Sequence, residues 1–371
     1  MLGRLQSVAV AACATAILTV CTASALADER ADALDRAIPA ALQRTSIPGA
    51  IVGIWQEGRA PYVRAFGVRD LATGAAMTTD LAIRIGSNTK AFTVTTLLML
   101  ADQGRLGLDD PIGRHVEGVP NGQNITLRQL AQMRSGLYNY ADDTSKDMAK
   151  QPLRQWTPRE LVDIAFRHPP EFAPGSRFDY SNTNTVLLGL TVEKVSGRSL
   201  ATLIDESILK PLRLMRTVFS AGAEMPKPHA SGYFRLPDGT FVDATDWNPS
   251  WGWAAGNMIS TLEDMRIWTR ALALGELLSP AMLRERDAFL PAPAEGEGAL
   301  YGLALENQNG WIGHNGNILS YMVYPYHLPS EDLTMVVMLN TGADIPGSWK
   351  LVQDITRIVS PNHIWPELPT Q

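Results

Sequence analysis

The sequence predicts an α+β fold in which both chain ends build one antiparallel sheet, helices flank it, and a mainly helical region is inserted between them. Three observations carry that prediction. Strand-like runs cluster near the two ends, at 50–68 and 302–340. Helix starts and stops crowd residues 105–290. A Pro/Gly/Glu stretch, Pro291 to Gly298, separates the two textures.

The chain opens on a segment with one charge, Arg4, followed by an apolar run, Val8 to Val20, and the small-x-small triplet Ala25-Leu26-Ala27. That is the form of a cleaved secretory signal, so residues 1–27 are expected to leave and an exported (periplasmic or secreted) chain to start at Asp28. The apolar run is too short for a comfortable membrane span, and none is expected after signal removal. Cys21 raises the question of a lipid anchor, but Val20 stands where that signal wants a small residue, and anchoring is not expected. Cys13 and Cys21 are the only cysteines, and both lie in the leader. Disulfides, cysteine nucleophiles and thiolate metal sites are thereby excluded from the mature chain.

Asp28 to Arg44 reads as an amphipathic helix with Leu34, Ile38, Ala41 and Leu42 on one side, broken by Ser46-Ile47-Pro48-Gly49. Ala50 to Gln56 and Pro61 to Val68 read as a hairpin around Glu57-Gly58-Arg59. Asn88 to Gln103 is an apolar helix ended by Gly104. Thr157-Pro158-Arg159-Glu160 combines a cap, a proline at the first position and an acid three residues on. Thr183 to Ser196 is a helix stopped by Gly197, and Ser260 opens another that runs to Leu274. Strands then return at Gly302 to Glu306, Asn317 to Tyr326 and Leu333 to Asn340, before a closing helix, Ser348 to Ile358. The organisation expected is a leader, 1–27; a sheet region, 28–104 with 291–371; and a helical insertion, 105–290, with the active site at the junction.

Three short motifs lie along this frame. Ser87 and Lys90 form a Ser-x-x-Lys at a helix start, and residues three apart share one helix face, which sets the ammonium beside the hydroxyl. The helix N-terminus adds free N–H donors and positive potential, favouring an oxyanion there. A second Ser-x-x-Lys, Ser207 to Lys210, lies late in a helix that ends at Pro211 and lacks this context. Tyr180-Ser181-Asn182 is the only Tyr-x-Asn in the chain, on a loop that runs into a helix. A nearby cation is expected to bring the Tyr180 phenol toward working range, and burial to lower the lysine. His314-Asn315-Gly316-Asn317 opens a strand, where glycine lets a substrate backbone lie close and the Asn317 N–H can join that of Ser87 as an oxyanion donor. Each motif alone has a plain reading: Ser87 and Asn182 as helix caps, His314 as a turn residue. Their conjunction, order and context point instead to a serine hydrolase.

The set resembles the serine penicillin-recognising hydrolases, and the Tyr-x-Asn places the resemblance in the branch of class C beta-lactamases, D-alanyl-D-alanine carboxypeptidases and related esterases. Arg84-Ile85-Gly86-Ser87, Arg134-Ser135-Gly136-Leu137, Phe172 to Gly175 and Tyr301-Gly302-Leu303 fit the same pattern, over roughly residues 35–340. The resemblance implies a beta-lactamase/transpeptidase-like fold. It implies acylation of Ser87, proton traffic shared by Lys90 and Tyr180, a grip on the acyl side-chain amide by Asn182, and an oxyanion hole from the Ser87 and Asn317 N–H groups. His314 takes the third-motif place, with Gly316 beside it. The aromatic cluster Trp247, Trp251 and Trp253 has two readings, a wall of the cleft with Trp251 against substrate, or buried core tryptophans.

The expected activity is that of an exported D-alanyl-D-alanine carboxypeptidase. The alternatives are an esterase or amidase on neutral acyl substrates, and a slow-turnover penicillin-binding or sensor domain. Expected partners are small peptides or acyl compounds, with peptidoglycan peptides and beta-lactams among the candidates. Two departures bear on substrate: no Lys or Arg occurs between Asp287 and Trp349, and Glu306 stands where a carboxypeptidase would carry a cation. His314, able to change charge near neutrality, predicts an activity limb between roughly pH 5.5 and 7.5. No cofactor or metal is expected, since the six histidines are dispersed without an H-E-x-x-H. With 32 Lys+Arg against 38 Asp+Glu and no basic run, nucleic acid is not an expected partner.

Overall fold

The computed structural model describes residues 29–368, apart from Pro237 and Leu319. The predicted leader, with Cys13 and Cys21, lies outside the described residues. Among those residues, no helix is long and apolar enough to cross a membrane.

Ten antiparallel strands form the main sheet. They are β1 (Gly49–Gln56), β2 (Tyr62–Asp70), β3 (Ala75–Ala76), β4 (Leu290–Pro291), β5 (Leu300–Tyr301), β6 (Glu306–Gln308), β7 (Trp311–Gly313), β8 (Gly316–Asn317), β9 (Met322–Leu328) and β10 (Leu333–Leu339). Their spatial order is β3-β2-β1-β10-β9-β7-β6-β5-β4, with β8 paired to β9. The first chain end thus meets the last at the centre, where Ala50 lies opposite Leu339 and Val52 opposite Val337.

Period-two alternation sorts the central strands onto two faces. Val52, Ile54, Met335, Val337, Tyr324 and Tyr326 face one core, closed by α1 (29–44) and by the late helix Ile345–Val359. Ile51, Val336, Met338 and Val323 face the other, larger core, against α2 (Thr89–Asp102), α3 (Asn182–Ser196) and α4 (Leu262–Leu274). Strands buried on both faces need continuous apolar sequence, and β10, Leu-Thr-Met-Val-Val-Met-Leu, is buried throughout. The late helix is α5.

The helix signals materialise as read. Thr157 and Glu160 exchange side-chain-to-backbone bonds in a full capping box ahead of Pro158–Phe166. Gly197 and Gly275 take left-handed conformations that stop α3 and α4. Two expected strands are broken. The expected strand Gly302 to Glu306 is a turn over 302–305, with Ala304 at φ 52°, and only its last residue joins β6. Its amides bond elsewhere, Leu303 N–H to Arg286 O (3.1 Å) and Ala304 N–H to Ala131 O (2.9 Å), so no ladder continues there. Asn317 to Tyr326 is likewise split between β8 and β9 by a tight turn, with Ile318 N–H on Tyr321 O (3.0 Å).

Candidate active site

The nucleophile turn is held from three directions. Ile83 and Arg84 pair with Met258–Ser260 in a small three-stranded sheet, and Ile85 N–H bonds Met258 O (3.0 Å). Gly86–Asn88 forms a 3-10 turn that leads into α2. Strand β8 lies across the front. A Cβ on Gly86 would sit 2.8 Å from the Asn317 carbonyl carbon, and Gly86 has φ +52°. A Cβ on Gly316 would collide with Ile85 O. Two glycines therefore let the Asn317 backbone lie against the turn that carries Ser87.

The Ser-x-x-Lys is one interacting unit. Ser87 makes no cap bond; Lys90 Nζ lies 3.0 Å from its Oγ. The ammonium nitrogen also donates to Asn182 Oδ1 (2.7 Å) and Ala255 O (2.9 Å), and the Lys90 side chain is fully buried. Burial, only partly offset by Glu295 and Glu306, lowers its pKa to about 7. A neutral amine has two N–H groups and one lone pair. Asn182 Oδ1 and Ala255 O are pure acceptors and take the two hydrogens, which leaves the lone pair for the Ser87 hydroxyl proton.

Asn182 does not cap α3; Ser181 occupies that position without a side-chain bond. Asn139 Oδ1 does the capping from outside, accepting from Asn182 N–H (3.0 Å) and Nδ2 (3.3 Å). This turns the Asn182 amide so that Oδ1 faces Lys90 and one N–H stays available to substrate. Asn139 sits on a loop fixed by Thr183 Oγ1 on Tyr138 O (2.7 Å) and by Ser135 Oγ, which takes Leu137 N–H (3.0 Å).

Tyr180 is the third member. Its ring centroid lies 4.9 Å from Lys90 Nζ, and the Ser87 side chain is near enough to act on its ionisation. Burial holds its pKa well above 10, and the neighbouring Ser87 side chain acts in the opposite direction. This corrects one sequence expectation: the lysine is lowered as foreseen, while the phenol is not.

His314 is buried, with its ring 6.1 Å from that of Tyr180. Its Nδ1 lies 2.6 Å from Asn315 O, so that nitrogen carries the hydrogen and Nε2 accepts from the Tyr301 hydroxyl (2.9 Å). Burial and the nearby Lys90 lower its pKa to about 3. The expected His314 activity limb between pH 5.5 and 7.5 is therefore withdrawn: the ring stays neutral throughout that range.

The structure brings Ser87, Lys90, Tyr180 and Asn182 into one cluster, with His314, Gly316 and Asn317 on its strand side. Trp251 is half-buried against the large core, and its carbonyl accepts from Tyr140 OH (2.7 Å). Its segment reaches the site through backbone, with Ala254 O on Thr93 Oγ1 (2.8 Å) and Ala255 O on Lys90. Sequence reasoning missed Asn139 and Ala255. Asn139, two residues after Gly136-Leu137, carried a weak signal; a backbone carbonyl carries none. The second Ser-x-x-Lys is structural, with Ser207 Oγ on Leu203 O (2.6 Å) and Lys210 paired to Asp205 (2.7 Å). Among the described residues, no cluster of His, Cys, Asp or Glu could hold a metal ion.

Comparison with known proteins agrees with this fold. A D-stereospecific amidohydrolase from Streptomyces sp. superposes with a TM-score of 0.77 at 31% identity, over 88% of this chain and 97% of that one. A D-amino acid amidase from Ochrobactrum anthropi, complexed with L-phenylalanine amide, gives 0.81 at 26% identity, over 90% and 99%. Protein flp of Staphylococcus aureus is 28% identical over 347 residues, 90% of this chain and 68% of its own. A D-aminopeptidase of Cereibacter sphaeroides is 28% identical over 324 residues, 83% of this chain and 60% of its own. The beta-lactamase family pattern matches residues 34–348, and the chain belongs to that family.

Proposed function

We propose that this chain is an exported serine amidohydrolase that acts through an acyl-enzyme on Ser87, cleaving amides of D-amino acids or short peptides. The observation that carries the proposal is Lys90: fully buried, with two acceptors for its hydrogens and its remaining face 3.0 Å from Ser87 Oγ. In the first step Ser87 Oγ attacks the amide carbon while its proton passes to Lys90 Nζ. The oxyanion forms against the Ser87 and Asn317 N–H groups. The proton on Lys90 then reaches the departing amine through the neutral Tyr180 hydroxyl, and the C–N bond breaks. Water attacks the ester in the second step and gives its proton to Lys90, which returns it to Ser87 Oγ as the ester bond breaks, releasing the acid and free Ser87.

The carboxypeptidase reading asks for a cation to hold a free carboxylate. The third-motif position holds a neutral histidine with Glu306 behind it (Nδ1 to Oε1, 3.3 Å). The amidase and amidohydrolase neighbours support an amide substrate without that anion. Export rests on the leader, residues 1–27.

Ser87→Ala is expected to abolish hydrolysis, and a fluorophosphonate to leave its mass on Ser87 alone. Full activity in Ser87→Ala with no adduct refutes the mechanism. D-phenylalanine amide is expected to turn over faster than a peptide ending in D-Ala-D-Ala; the reverse order restores the carboxypeptidase reading.

A further inference from the structure

Glu306 takes no part in the proton path, yet its carboxyl is 1% exposed. Its neighbours are donors. Tyr326 OH bonds Oε2, Asn315 N–H reaches Oε1 (3.4 Å), and Asn315 Nδ2 reaches Oε2 (3.4 Å). His314 Nδ1–H, aimed at Asn315 O, lies 3.3 Å from Oε1. The site needs this carboxyl for a reason written into the sheet. Strand β7 ends at Gly313, paired with Tyr326, and β8 resumes at Gly316, paired with Val323. His314 and Asn315 lie in the gap, and Pro325, in β9 across from it, has no N–H to offer a ladder. In that gap Glu306, reaching from β6, accepts the Asn315 N–H (3.4 Å).

We propose that Glu306 is a positioning residue of the acyl-transfer site, clamping the His314-Asn315 peptide, fixing His314 as its Nδ1–H tautomer, and so setting where the Asn317 N–H points. The proposal rests on the reading of Ser87 as nucleophile. An oxyanion donor works only if aimed where charge develops. Strand β8 is two residues long, so its aim depends on what anchors the residues before it.

The test uses the full chain with ¹⁵N-labelled histidine. The His314 ring signals, assigned by their loss in His314→Gln, are expected to show a protonated Nδ1 and a bare Nε2. Glu306→Gln keeps the shape but exchanges one carboxyl oxygen for an NH₂, which on the Oε1 side would meet the Asn315 N–H and His314 Nδ1–H. It is expected to mix the tautomers and lower kcat by about 10²-fold, the scale of a displaced catalytic contact. KM is expected to change far less, because the oxyanion contact is made in the transition state. Glu306→Asp, which keeps a carboxyl group, is expected to recover part of kcat and the wild-type ring pattern. Wild-type kcat with an unchanged ring in Glu306→Gln overturns the proposal. Where that variant yields no folded protein, Tyr326→Phe decides: a lower kcat with intact KM supports the role, and wild-type kinetics refutes it. Fluorophosphonate labelling of the wild type runs alongside. Its failure would remove Ser87 as nucleophile, while the His314 ring would still decide the role of Glu306.

Discussion

In the proposed mechanism, Lys90 sets the pH at which Ser87 can attack. The amine must be neutral to take the hydroxyl proton, and burial lowers its pKa to about 7. The acid limb of kcat/KM is therefore expected near pH 7, with activity rising as pH rises through it. Glu295 and Glu306, both pushed above the usual carboxylate range by burial, titrate close by, so the limb belongs to the coupled set rather than to one group. A pH–rate profile of the wild type and of Glu295→Gln checks this. Removing an anion removes something that favours protonated Lys90, so the limb is expected to move to lower pH in Glu295→Gln. A limb that stays in place contradicts the assignment. Position 90 was legible from sequence because spacing of three on a helix is local geometry. The protonation of His314 was not, because its burial depends on Tyr301 and Glu306, which reach it from separate strands.

At the scale of elements, the turn at 86–88 and strand β8 behave as a fitted pair. Gly86→Ala would add a methyl 2.8 Å from the Asn317 backbone and force alanine to φ +52°. It is expected to destabilise the fold by about 1–3 kcal/mol, the range for overpacking, and to reduce Ser87 labelling more than the stability loss explains. Thermal melts and labelling rates compare the two effects. By contrast, Thr157→Ala breaks a capping box remote from Ser87. It is expected to cost about 1 kcal/mol and to leave kcat/KM unchanged. Caps and glycine stops were readable because they are written in four or five consecutive residues. The breaks at 302–305 and 318–321 were not. There the amides of Leu303 and Ala304 go to Arg286 and Ala131, partners that no window around them contains.

Across the whole molecule, the placement of Ser87 is expected to depend on a helix that does not pack against it. α5 covers the far face of the sheet through Leu351, Val352, Ile355 and Val359, each worth roughly 1.5–3 kcal/mol when buried. Deleting residues 345–371 removes no site residue. It is nonetheless expected to abolish soluble protein and fluorophosphonate labelling together, since β9 and β10 would expose Tyr324, Tyr326 and Val337. Soluble yield and labelling of the truncated chain measure this, and a soluble, labelled product would count against it. That both termini share one sheet was visible in where the apolar alternation falls. The seam at its centre, Ala50 beside Leu339, is a long-range pairing that only the assembled cores select.

The uncharged His314, backed by an acid, also bears on inhibitor chemistry. Electrophiles that carry a carboxylate find no counter-ion here and meet a buried acid instead. Neutral warheads, such as an aldehyde or boronic acid on an uncharged amide scaffold, are the better starting points for a selective probe.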